Sequence, residues 1–226
     1  MREFMKKYGH IWTVLYLPFY LIWFAWLEKT VTTDYTVIHC FIDDYIPFNE
    51  FFIIPYFIWF LIVPIMYLYL FFNNKKDFYR FIAFLYGGMT LFLIICTVFP
   101  NGQNLRPNFD PNKNVLTKLL DFIYHTDTNT NVFPSIHVYN SIAVMIAVWK
   151  NEVLSQKKWL VILSFIVTVS ICLSTTYLKQ HSILDGLGAL VMAGFFYWLV
   201  YGRVHAKASV KKEKQKEGNP ALEQAL

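Results

Sequence analysis

Apolar runs fall at residues 11–27, 51–72, 81–99, 137–149, 159–178 and 183–201, each separated from the next by a polar stretch. A helix rising 1.5 Å per residue needs about 20 apolar residues, roughly 17 to 25, to cross ~30 Å of hydrocarbon. Five of the runs meet that length. The fourth is shorter, and spans only if its helix begins near Pro134 with its start below the membrane surface. Pro18, Pro55 and Pro64 lie inside runs, where transmembrane helices tolerate proline better than soluble ones do. The pattern predicts an all-α integral membrane protein with six transmembrane helices. The loop at 100–133 is long and Asn-rich, the length of a lid or binding loop. Within it Val115, Leu119, Phe122 and Ile123 fall at helical spacing, as do Ile38, Phe41, Ile42 and Tyr45 in the first loop. Both stretches read as short interfacial helices.

Composition supports the bilayer as solvent. Of 226 residues 56% are hydrophobic and only 15% charged, too little polar surface for a soluble domain of this size. The first run follows Arg2, Lys6 and Lys7 as a signal peptide would, but LEKTVTTD follows it with no small-residue cleavage site, so it reads as an anchor. Cys40, Cys96 and Cys172 form no disulfide framework.

Charge then sets orientation. With six spans, fifteen of the twenty Lys and Arg lie on one side, at the N-terminus, the second and fourth loops and the C-terminal tail. Lys29, Arg106, Lys113, Lys118 and Lys179 lie on the other. The positive-inside rule makes both termini cytoplasmic, in a multi-pass plasma-membrane protein. Topology and anionic lipid account for the net charge of +5 without a nucleic acid partner. The expected organisation is a membrane domain over residues 1–205 and a basic, disordered cytoplasmic tail over 206–226. His10 and His205 read as solvated, and Asp43 with Asp44 as a wet loop pair.

Polar chemistry gathers on the outer side. Arg106 follows the third run, Ser135 and His137 open the fourth, and STTYLKQHSILDG joins the fifth and sixth. His181 and Asp185 are one helical turn apart, so imidazole and carboxylate share a face. A carboxylate on one ring nitrogen fixes the tautomer and frees the other as nucleophile or base. His137 supplies a general acid, Arg106 a fork of donors for phosphate oxygens, and the start of the fourth helix N–H groups for an anion at Ser135 and Ile136. Two other readings stay open. His137, His181, Asp185 and His125 or Asp127 could ligate a metal, or the pair could be structural in a lipid carrier or channel.

Arg106-Pro107, Pro134-Ser135-Ile136-His137, and Ser174 followed by His181 and Asp185 resemble the three motifs of the type 2 phosphatidic acid phosphatase superfamily. IPFNEFFIIPYFIWFL resembles the second-span signature of its inositol phosphorylceramide synthase-like branch. The resemblance implies a metal-independent lipid phosphatase or phosphotransferase without cofactors. In it His181 would attack phosphorus and become a phosphohistidine, Asp185 would orient it, and His137 would protonate the leaving alcohol and then activate the acceptor. Arg106 and Ser135 would hold the phosphate. Phe99, Ile136 and Thr175 stand where the phosphatase pattern has lysine, glycine and arginine. Two expected cations are thus missing, with Lys179 the candidate to replace one. Fewer cations suit a singly charged phosphodiester, hence head-group transfer from a phosphorylated membrane lipid to an acceptor lipid alcohol.

Overall fold

A computed structural model describes residues 9–202, and the apolar runs within it are helical. A 3-10 run, Gly9–Leu15, leads into α1 (Tyr16–Thr30). The first loop holds β1 (Thr36–Val37) and α2 (Phe41–Tyr45), and a 3-10 turn, Glu50–Phe52, starts α3 (Ile53–Asn73). Next come α4 (Lys75–Val98), β2 (Asn101–Gly102), α5 (Val115–Thr126), α6 (Ile136–Lys150), α7 (Lys158–Tyr177) and α8 (Ile183–Tyr197), the last continuing as a π turn, Trp198–Gly202. Only Asn74 separates α3 from α4, and its side chain caps α4 by accepting from Asp77 N at 3.0 Å. The helices therefore run antiparallel. The parallel pair β1–β2 is a small exception to the all-helical expectation, and ties the first loop to the third.

Among the described residues five helices are long and apolar enough to cross a membrane: Gly9–Thr30, Glu50–Asn73, Lys75–Val98, Lys158–Tyr177 and Ile183–Gly202. The sixth expected span is not among them. α6 has 15 residues, which at 1.5 Å each gives ~22 Å. Its length is bounded by the polar loop before Pro134 and by Lys150. Unlike its neighbours it is sheathed in protein, packing against α3, α4, α7 and α8. Its ten buried positions include Tyr139, Asn140, Ser141 and Ala143, so it need not match hydrocarbon thickness with its own flanks. Close packing is possible because Gly88 of α4 lies against Tyr139, where a Cβ would sit 2.1 Å from the ring. Tyr139 donates its hydroxyl to Phe84 O at 2.7 Å.

The other helices carry exposed apolar faces, among them Leu21, Ile22, Ile65, Leu68, Ile162, Ile166, Leu190 and Val191. α5 is helical as its spacing predicts, but the apolar stripe is divided: Val115 and Phe122 are 70% and 62% exposed, while Ile123 packs with Leu120, Ile53, Tyr56 and Leu178. His10 departs from the solvated reading. It is 2% exposed, its Nε2 lies 3.0 Å from Phe71 O, and its ring packs among Phe71 and Phe78. His205 and the tail at 206–226 lie outside the described residues.

Candidate active site

The site forms where the α8 and α6 N-termini meet. Ser182 caps α8, its side chain accepting from Leu184 N, and Asp185 reaches back to accept from Ser182 N at 3.0 Å. That capping geometry turns the Asp185 carboxylate toward the residue before the cap, and Oδ2 lies 3.1 Å from His181 Nδ1. His181 is also held from behind, because its own N–H donates to Thr175 O at 3.0 Å. The turn between them places Lys179 at φ 54, a left-handed conformation uncommon for a side-chain-bearing residue.

α6 is fixed from both sides. Asn101 Oδ1 accepts from Val132 N and Phe133 N at 2.9 and 2.8 Å, and Ser135 N donates to Asp185 O at 3.0 Å. The N-terminus of α6 is thus tied to α8. His137 sits in the first turn, its ring packed on Tyr56 and Trp59 with centroids 4.7 and 4.4 Å away. Its Nδ1 lies 3.4 Å from His181 Nε2. With Asp185 accepting from His181 Nδ1, the neutral ring presents Nε2 as acceptor, so His137 Nδ1–H is the donor. The aligned trio Asp185–His181–His137 can hold a nucleophilic imidazole nitrogen and a proton donor side by side.

The expected phosphate ligands are arranged differently. Arg106 Nη1 donates to Tyr124 O, and Nη2 to Asp127 O, Thr128 O and Gln180 Oε1, all between 2.6 and 2.9 Å. Its guanidinium also lies 4.4 Å over the Tyr124 ring, and burial pulls its pKa below the ordinary arginine value. Lys179 Nζ donates to Asp43 O at 2.7 Å. Ser135 Oγ lies 3.5 Å from Val138 N as the α6 cap, and Ser135 N is taken by Asp185 O. Backbone carbonyls left over at turns and helix ends find partners in these donors. Arg106 and Lys179 here brace the loops around the site.

Asp43 was read as a wet loop residue, yet it is buried and accepts from Ser182 Oγ (2.6 Å), Ile183 N (2.9 Å) and Cys40 N (2.8 Å). Burial alone would raise its pKa; the bonds from Ser182, Ile183 and Cys40 outweigh that and hold it below the ordinary carboxylate value. Glu28 plays a similar part for the third loop, accepting from Thr128 Oγ1 at 2.5 Å and Asn131 Nδ2 at 2.7 Å. Neither partnership has a short-range sequence signal.

A cavity of about 440 Å³ opens beside the histidines. Tyr20, Phe24, Tyr56, Trp59, Phe60 and Phe92 form its aromatic wall, and His137, His181, Asp127, Asn131 and Gln180 are polar members of its lining, which among the described residues includes no Lys or Arg. The aromatic wall draws on the same stretch, residues 46–61, that carries the narrower family resemblance. Asp127 shares the cavity, and burial raises its pKa. His125 is turned to Asp121 instead, its Nδ1 2.8 Å from Asp121 O. Among the described residues no group of three or more His, Cys, Asp or Glu is arranged to hold a metal ion.

The PAP2 superfamily sequence model matches residues 81–209, a stretch that starts in α4 and contains all three motifs. No curated protein and no solved structure matches. The matched stretch is more than half of the 226 residues and supplies both histidines and the carboxylate that meet at the α6–α8 junction, and on that ground the chain belongs to the PAP2 superfamily.

Proposed function

We propose that the protein is a membrane lipid phosphotransferase of the inositol phosphorylceramide synthase-like branch, moving a phosphorylated head group between lipid alcohols through a phosphohistidine. PAP2 membership sets the class, a membrane-associated phosphatase or transferase. The observation that carries the finer reading is the cavity: a nucleophile and acid pair opens into an aromatic chamber with no lysine or arginine among the described residues of its lining. A dianionic monoester there would meet two negative charges' worth of desolvation with no countercharge; a diester carries one.

In the first step His181 Nε2 attacks phosphorus, the bond from phosphorus to the departing alcohol oxygen breaks, and that oxygen takes a proton from His137. Asp185 stabilises the positive charge developing on His181 through Nδ1–H. In the second step the acceptor hydroxyl gives its proton to His137, its oxygen attacks phosphorus, and the phosphorus–nitrogen bond breaks. At 3.4 Å the two rings are too close for phosphorus to lie between them, so substrate displaces their mutual hydrogen bond. We place α6 as the sixth, shortened span, both termini in the cytoplasm and the site at the extracytoplasmic face.

Purified protein in detergent, given a labelled lipid phosphodiester and a lipid alcohol, is expected to transfer the head group and to carry acid-labile phosphate. His181→Ala should abolish both, and His137→Ala should slow transfer by about 10²–10⁴-fold. Hydrolysis of lipid monophosphates without any transfer would overturn the transferase assignment. Unchanged turnover in His181→Ala would overturn the mechanism.

A further inference from the structure

Two residues that line the cavity, Gln180 and Trp59, carry buried donors without a hydrogen-bond partner among the described residues. Gln180 is 2% exposed and lines the cavity beside His181. Its amide is oriented by Arg106, whose Nη2 lies 2.6 Å from Oε1. A guanidinium has only donors, so it must meet the amide oxygen, and this turns the amide NH2 the other way. Among the described residues Gln180 Nε2 has no hydrogen-bond partner, nor has Trp59 Nε1, whose residue lines the same cavity and whose indole packs on His137; both atoms are buried. Native folds leave few buried N–H groups unpaired. Two beside a nucleophile are best understood as waiting for an acceptor.

We propose that Gln180 Nε2 and Trp59 Nε1 bind the non-bridging oxygens of the substrate phosphodiester, doing with neutral donors what the arginine and lysine residues of the loops do not do here. This deepens the phosphotransferase reading and rests on it for the identity of the ligand. Arg106 is then a positioning residue: its four bonds hold the 124–128 segment and the Gln180 oxygen, so that the amide presents N–H rather than C=O to the anion. Preorganised neutral donors stabilise a single negative charge in a low-dielectric site without reorganising. The Asp127 carboxylate on the same cavity repels a second charge, which sharpens the preference for a diester over a monoester.

The test is binding of dihexyl phosphate and of hexyl phosphate to the full chain in detergent, measured by calorimetry. Wild type is expected to bind the diester more tightly than the monoester. Gln180→Glu keeps the acceptor for Arg106, and so the local fold, but replaces the donor with an oxygen and adds a negative charge beside the anion; it should weaken diester binding by at least about 10- to 100-fold, the effect of losing one hydrogen bond to a charged group, with the added repulsion on top. Trp59→Phe keeps the ring and removes the N–H, and should weaken it about tenfold. Affinity within twofold of wild type in Gln180→Glu overturns the Gln180 assignment, and the same result in Trp59→Phe overturns that of Trp59. Wild type that binds neither probe overturns both. Binding lost as expected, in a protein that transfers no head group, would instead remove the phosphotransferase reading and leave an anion site.

Discussion

Asp43 is the residue on which the turn preceding α8 depends. Its carboxylate takes bonds from Ser182 Oγ, Ile183 N and Cys40 N, while its own carbonyl takes Lys179 Nζ. Asp43→Asn puts an NH2 against one or more of those donors and should destabilise the protein by about 1–3 kcal/mol at neutral pH. The sign of the pH dependence follows from the depressed pKa. A carboxylate whose folded value lies below its unfolded one stabilises the fold above the unfolded value, and that stabilisation disappears as pH falls through the folded value. The gap in thermal midpoint between wild type and Asp43→Asn, measured in detergent, should therefore be steady down to about pH 4 and shrink below the ordinary aspartate value of 3.8. A gap that widens on acidification would sink this account. The His181–Asp185 pair was legible because both residues lie within one turn of one helix. Asp43 was not, since its partner Ser182 is 139 positions away and no local spacing encodes the meeting. The partners of Arg106 were hidden for a related reason: the carbonyls that accept from it have no side-chain identity to read.

Helix α6 owes its central place to small residues facing it. At Gly88 an added Cβ would fall 2.1 Å from Cζ of the buried Tyr139 ring, so Gly88→Ala must push that ring off its bond to Phe84 O. A loss of about 1–3 kcal/mol is expected, read as a lower thermal midpoint. Gly194→Ala, with nothing within 4 Å of the new carbon, should be neutral or slightly stabilising; equal effects at the two sites would mean the contact is unimportant. The length of the apolar runs found the long helices, because lipid-facing helices are apolar all round and announce themselves by length. It also flagged the one run that falls short. What it had no means to show is why a short helix is acceptable, since α6 is enclosed by α3, α4, α7 and α8 and enclosure is a property of the neighbours.

In the whole molecule, the third loop, the first loop and the ends of α4 and α7 all gather at the histidine end, through β1–β2, Glu28 with Thr128, and Asn49 N bonded to Tyr177 O at 3.1 Å. The opposite end is closed by Asn151 Nδ2 bonded to Asp77 at 2.9 Å. This two-ended organisation was legible from the order of runs and loops. The proposed orientation predicts that a membrane-impermeant maleimide applied to intact cells labels Cys40, which is half-buried in the first loop, ahead of the buried Cys96. Labelling of Cys40 only after lysis would reverse the orientation. The cavity reaches Phe60 and Phe92, seven residues into α3 and six from the end of α4, or ~10 Å along the helices at 1.5 Å per residue. For a lipid substrate that depth decides the route of arrival. Drawing two sixteen-carbon chains into water would expose about thirty methylenes at ~0.8 kcal/mol each, on the order of 20 kcal/mol, a barrier no turnover could tolerate. A chamber sunk among the helices lets the phosphate reach His181 while the acyl tails stay in hydrocarbon, so supply is governed by diffusion in the plane of the bilayer.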